Sequence, residues 1–213
     1  MENKDIYDEI SSIRTIMERS TRFISLSGLS GVMAGIYALI GAYFAYRLLY
    51  SPAGYEYTGR GGYAAIDNDL NIKLFLIACV VLILSIATGI WLTVRKAKRK
   101  GATVWNQSSR SLLLSGALPL LTGGCFVLIL FVQGHYGIIA PGCLVFYGLA
   151  LVAASQYTYG DVKWLGILEI GLGLLSTLLP GYGLAFWALG FGVLHVLYGT
   201  IMHFKYDRES NVN

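Results

Sequence analysis

LFLIACVVLILSIATGIWLTV, residues 74–94, runs directly into RKAKRK, residues 95–100, and this junction decides the fold. The first string carries no charged side chain. As a helix it would rise about 30 Å, the thickness of the hydrocarbon core of a bilayer. The second string sets Arg95, Lys96, Lys98, Arg99 and Lys100 at its end. An apolar span closed by a basic cluster is the pattern of a transmembrane helix ending on the cytoplasmic, anionic face.

Working outward, six apolar stretches have a spanning length: 26–50, 72–94, 111–133, 139–158, 164–180 and 184–204. The composition agrees, with 55% hydrophobic and 13% charged residues in 213, where soluble domains run near a quarter charged. Proline placement fits the limits. Pro52 follows the first stretch, Pro141 opens the fourth and Pro180 closes the fifth. Pro119 falls inside the third, where a kink is expected. The expected fold is an all-α integral membrane bundle of six transmembrane helices over residues 26–204. A cytoplasmic amphipathic helix at 1–25 and a cytoplasmic tail at 205–213 flank it. The first apolar run is too long for the core of a signal peptide and reads as an uncleaved span.

Orientation follows from the basic residues. With the N-terminus inside, 13 of the 16 Lys and Arg are cytoplasmic, and only Arg47, Arg60 and Lys73 lie outside. Both termini are then cytoplasmic, and the loop 51–70 is external. The net charge of +4 is this bias, so the implied partner is anionic lipid, not nucleic acid. Cys79, Cys125 and Cys143 all sit in apolar runs without metal-ligand spacing and read as packing residues. No metal site and no cofactor is expected. The tight connections Gly134-His135-Tyr136-Gly137 and Pro180-Gly181-Tyr182-Gly183 hint at a weak internal repeat of hairpins.

The first forty residues hold the clearest periodicity. Ile6, Ile10, Ile13, Met17, Ser20, Ile24, Ser27, Gly31, Ala34, Ala38, Gly41 and Ala45 repeat at 4-3-4-3 spacing. A period of 3.5 predicts a helix-packing seam. The cytoplasmic half, Ile6, Ile10, Ile13 and Met17, is large and apolar. The membrane half, Ser27, Gly31, Ala34, Ala38 and Gly41, is small and admits another helix backbone, and Gly35 adds a GxxxG with Gly31. The partner helix lies either within the bundle, in a second copy, or in another membrane protein. The run MERSTRFISLSGLSG, residues 17–31, resembles the opening of an uncharacterised family of bacterial polytopic inner-membrane proteins. That resemblance covers about the first fifty residues. It implies a bacterial inner-membrane setting and no activity.

Few residues bear on chemistry. Gly28-Leu29-Ser30-Gly31 resembles the nucleophile motif of rhomboid intramembrane proteases, which pair the serine with a histidine of a later span, here His195. The motif sits in the first span instead of a later one, and the Trp-Arg loop motif of that family is missing. Ser30 therefore reads first as a packing residue. Glu169 and His195 are the only carboxylate and the only imidazole deep inside the stretches. An ionisable group there costs on the order of 2.5–3.5 kcal/mol on insertion scales and usually faces the bundle interior. They lie at similar depth on consecutive stretches and are expected to meet. Ser155 and Gln156 are candidates to extend the cluster. The expected function is a non-enzymatic regulatory or scaffold protein acting through helix association. The alternative is a small proton-coupled transporter or channel using Glu169 and His195, and the third is an intramembrane hydrolase using Ser30.

Overall fold

The computed structural model describes residues 27–50, 68–99, 101 and 103–207. The stripe Ile6, Ile10, Ile13 and Met17, most of the external loop, Lys100 and the tail from 208 lie outside the described residues. The described chain is all-α, with no strand among the described residues. Its helices are α1 Gly28–Leu49, α2 Asn68–Arg99, α3 Gln107–Val132, α4 Ile139–Ala154 and α5 Asp161–Leu178. The last, α6, is composite: Gly183–Trp187 is α, Ala188–Leu194 is π, His195–Met202 is α, and His203–Asp207 is π again.

Five of the six helices, α5 excepted, are long and apolar enough to cross a membrane. α5 has 18 residues and carries Asp161, Lys163 and Glu169. α2 outruns its apolar stretch at both ends and holds the basic residues Lys96, Lys98 and Arg99 in its last turn. There they also favour the negative end of the helix dipole. α3 opens on a reciprocal cap. Asn106 Oδ1 accepts from the Ser109 N–H at 2.8 Å, and Ser109 Oγ accepts from the Asn106 N–H at 2.9 Å. The helix continues unbroken through Pro119.

Short connections force antiparallel neighbours at the α3–α4, α4–α5 and α5–α6 turns. Two of these turns use a glycine in the left-handed region, Gly134 at φ 79° and Gly181 at φ 98°. The two glycines do not occupy matching places before the shared Tyr-Gly, so the hairpins differ in backbone detail. α1 packs on α2 and α6, α3 packs on α4, and α4 packs on α5 and the start of α6.

The interior is lined by small residues and the exterior by large apolar ones. On α1, Gly28, Gly35, Ala38, Gly41, Ala42 and Ala45 are buried, while Ile36, Ile40, Tyr43 and Phe44 are exposed. α2 exposes Leu82, Ile83, Ile86 and Ile90. The helices meet at glycine. A Cβ on Gly35 would lie 2.6 Å from the Gly192 carbonyl of α6. Cβ atoms on Gly148 and Gly166 would lie 2.6 and 2.7 Å from each other's carbonyls, binding α4 to α5. The seven-residue spacing of Gly166 and Gly173, and of Gly192 and Gly199, keeps each pair on one helix face.

Candidate functional site

Three helices deliver one polar side chain each to the same point in this apolar core. Glu169 sits two turns into α5, about 12 Å from Asp161 along the helix axis. His195 sits on α6, about 15 Å from Lys205. Asp161 and Lys205 are themselves paired at 2.9 Å, so both buried groups lie at nearly the same height above that pair. Their separation is 3.3 Å from His195 Nδ1 to Glu169 Oε1. Glu169 is 0% exposed and His195 6%.

The third member is Tyr147 of α4, whose hydroxyl lies 2.8 Å from His195 Nε2. His195 Nδ1 lies 3.0 Å from the Gly190 carbonyl, five residues back in the π stretch. A π turn widens the helix by one residue and disturbs the regular carbonyl ladder, and such turns concentrate at functional sites. Phe191 flanks the ring, with centroids 6.0 Å apart, and also packs on Tyr147 at 5.1 Å.

Glu169 is less well served. Neither carboxyl oxygen has a hydrogen-bond partner. Nδ1 is within ion-pair distance of Oε1, and nearer to the Gly190 carbonyl. The wall around Oε2 is apolar and tight. A Cβ on Gly190 would lie 2.5 Å from Oε2 and 2.5 Å from Leu144 Cδ2. Glycine at 190 is what leaves space for the carboxyl group. A buried carboxylate without donors is costly, so this group stands out energetically as well as geometrically.

The other candidates fall elsewhere. Ser155 is buried, but its hydroxyl donates to Val152 O of its own helix at 2.7 Å, and Gln156 is exposed. Ser30 donates to Ser27 O at 2.6 Å, and both ring nitrogens of His195 face Tyr147, Gly190 and Glu169. The structure therefore does not join Ser30 to His195 through a hydrogen bond. Ser27, Gly35, Ala38 and Gly41 are buried, and Gly31 and Ala34 are half-buried. Gly31 faces Gly199 of α6, where an added Cβ would come within 3.2 Å of the Gly199 Cα. The stripe thus finds its partners within this chain. Tyr147 and Gly190 were not singled out by sequence. The available signal for Tyr147 was a phenol mid-way along an apolar helix, where its O–H needs a partner.

The basic residues gather at the Asp161–Lys205 end. Arg95 lies over Trp91 at 5.5 Å and Lys96 over Tyr159 at 5.6 Å, while Lys98 and Arg99 are exposed. Tyr159 stacks on Tyr206 at 3.9 Å, and Tyr206 donates to Asp161 at 2.8 Å. Partial burial pushes the Asp161 carboxyl up, but hydrogen bonds from Lys205 and Tyr206 outweigh it and hold it below its ordinary value. These contacts tie α2, the α4–α5 turn, α5 and α6 together beneath the buried cluster.

No protein-family model, curated protein or solved structure matches this chain. Its class rests on fold and site: a helical bundle with five long apolar helices, as a multi-pass membrane protein has, and a buried His195–Glu169 pair in its core with the half-buried Tyr147 beside it.

Proposed function

We propose that the chain is a six-span protein of the bacterial inner membrane, with both termini cytoplasmic, that couples its action to protons through Glu169 and His195. One observation carries this reading: a wholly buried carboxyl group, without a hydrogen-bond partner, lies 3.3 Å from a buried histidine. A protein that needed only packing would gain by an apolar residue there. Counting α5 as a crossing is supported by its partner. α5 runs antiparallel to α6 through a short turn, and Asp161 meets Lys205 at the other end, so the two helices cover the same depth. The gathering of Arg95, Lys96, Lys98, Arg99, Lys163 and Lys205 at one end supports the orientation and contact with anionic lipid.

The test is proton entry into proteoliposomes under an imposed potential, followed with an internal pH dye. Flux is expected for the native chain and not for Glu169→Gln. Equal flux in both, or none in either, would sink the reading.

The non-enzymatic regulatory or scaffold role stands as a second reading, supported by the burial of Glu169 and His195. Because Gly31, Gly35, Ala38 and Gly41 are engaged within the chain, a partner or second copy would bind the cytoplasmic stripe Ile6, Ile10, Ile13 and Met17. Cross-linking at Ile10 in native membranes would reveal it. A chain that stays monomeric and uncross-linked would count against this role.

A further inference from the structure

Ser176 of α5 is, besides Glu169, a buried side chain without a partner. It is 3% exposed, and its hydroxyl oxygen makes no hydrogen bond. A hydroxyl within a helix has a remedy of its own, since it can donate to the carbonyl three or four residues back. Ser30, Thr88, Ser155, Thr177 and Thr200 all do so. Ser176 does not.

Glu169 and Ser176 share more than this deficit. Seven residues separate them on α5, which sets them on one helix face about 10 Å apart along the axis. Gly173 lies between them on that face and is buried. A Cβ there would lie 3.0 Å from the Pro141 carbonyl oxygen, so α4 brings a backbone oxygen to the level between the two side chains. Towards the Asp161–Lys205 end the same face is apolar. Val162 and Leu165 are buried there, and a Cβ on Gly166 would lie 2.7 Å from the Gly148 carbonyl. In the other direction α5 ends at Leu178, just beyond Ser176, and Leu178 to Tyr182 are exposed. The polar groups of this face therefore lead from Glu169 away from the basic end of the bundle.

Buried polar groups that the protein leaves unserved are as a rule satisfied by ordered water. We propose that water reaches Glu169 from the outer end of the bundle, along this face of α5 and past Ser176. Ser176 is the entry and Glu169 the inner end. At a hydrogen-bond spacing of about 2.8 Å, a file of about three water molecules links them. The Pro141 carbonyl lies alongside as an acceptor. The site is thus a water site, and it gives the Glu169 carboxyl contact with one side of the membrane only. The inference rests on the proton-coupled reading and deepens it by naming the side from which protons come.

The test uses the full chain in lipid, with its three native cysteines, Cys79, Cys125 and Cys143, replaced by alanine. Ser176→Cys is probed from outside with a small anionic methanethiosulfonate, which reacts with a thiol only where water reaches it. Leu175→Cys is the control at the same height, because Leu175 is 52% exposed on the outer surface of the bundle, where lipid excludes the reagent. Reaction is expected for Ser176→Cys and not for Leu175→Cys. Leu168-Glu169 is the only Leu-Glu step in the sequence. Labelling leucine carbonyl carbon with 13C and glutamate nitrogen with 15N therefore isolates Glu169 by solid-state NMR. Transfer of magnetisation from water to this pair is expected in the native and the unreacted Ser176→Cys chains. Its loss is expected once the thiol is blocked.

A Ser176→Cys thiol that ignores the outside reagent would overturn the proposal. So would equal reaction at Leu175→Cys, or a water signal at Glu169 that survives blocking. If Ser176→Cys does not fold, a dry Glu169 in the native chain overturns the route by itself. Proton flux that persists undiminished after blocking would defeat the route and leave the proton-coupled function standing. A wet Glu169 that dries on blocking, in a chain without flux, would leave the route standing and defeat that function.

Discussion

Tyr147, His195 and Glu169 make unequal demands on the fold. Tyr147→Phe removes the hydroxyl that faces His195 Nε2 and leaves a buried ring nitrogen without a partner. A loss of about 1–3 kcal/mol is expected, read as a lower unfolding temperature in detergent. Glu169→Leu should behave in the opposite way. It replaces an unpartnered carboxyl by a side chain of similar volume among apolar walls, so stability should hold or rise while proton flux disappears. A Glu169→Leu chain that unfolds much earlier than the native one would mark Glu169 as a structural residue. The sequence made Glu169 and His195 visible, because no other carboxylate or imidazole lies deep in the apolar stretches. It left Tyr147 hidden, because the chain has 15 tyrosines and most membrane tyrosines sit at interfaces.

Between helices, the glycines carry most of the specificity. Gly35→Ala would set a methyl 2.6 Å from the Gly192 carbonyl and 2.8 Å from the Val196 nitrogen. Both are backbone atoms of α6 and cannot swing away, so a loss of about 1–3 kcal/mol is expected. Gly124→Ala is the matched control. Nothing lies within 4 Å of its added Cβ, and alanine favours helix by about 0.5–1 kcal/mol. Unfolding of both variants in the same detergent checks the contrast, and equal effects would show that the α1–α6 contact is not tight. The 3.5 period marked the face of α1 that packs, but not its partner. That choice lies with α6, whose Gly192 and Gly199 only become matching hollows once the two helices are set side by side.

The clasp at the helix ends adds a pH signature. Asp161 is held below its ordinary value, so its pairing with Lys205 contributes above the usual aspartate range and is lost as the pH falls through the lowered one. Lys205→Met should therefore lower stability slightly at neutral pH, as for any largely exposed pair. It should match the native chain in acid. A Lys205→Met deficit that persists unchanged at low pH would place the role of Lys205 outside this pair.

For the whole molecule, the orientation is the quantity to measure. A reporter fused at Asn213 should read as cytoplasmic, and a cysteine placed at Gly61 should be labelled from outside in intact cells. An external C-terminus would mean an odd number of crossings and would remove α5 from the membrane. The bundle also has a centre and an edge. α1, α4, α5 and α6 surround the polar cluster, whereas α2 and α3 flank it and leave large apolar side chains outside. Phe75 of α2 and Phe131 of α3 still meet at 5.2 Å near one end.

Sequence alone determined that the chain is helical, and five of its six apolar stretches are long and apolar enough to span as helices. Those properties depend on local composition and on the rise of a helix, both of which are written residue by residue. Only the tertiary structure decided that the α1 stripe closes on α6 and α2 of the same chain, that Tyr147 completes the cluster, and that Glu169 has no donor. These depend on the rotation of each helix about its axis and on one π turn in α6. A difference of one residue in such a turn re-aims a side chain by about 100° for a 3.6-residue helix. Apolar periodicity does not carry that information when lipid and protein interior are equally apolar, so packing of glycine against backbone sets it instead.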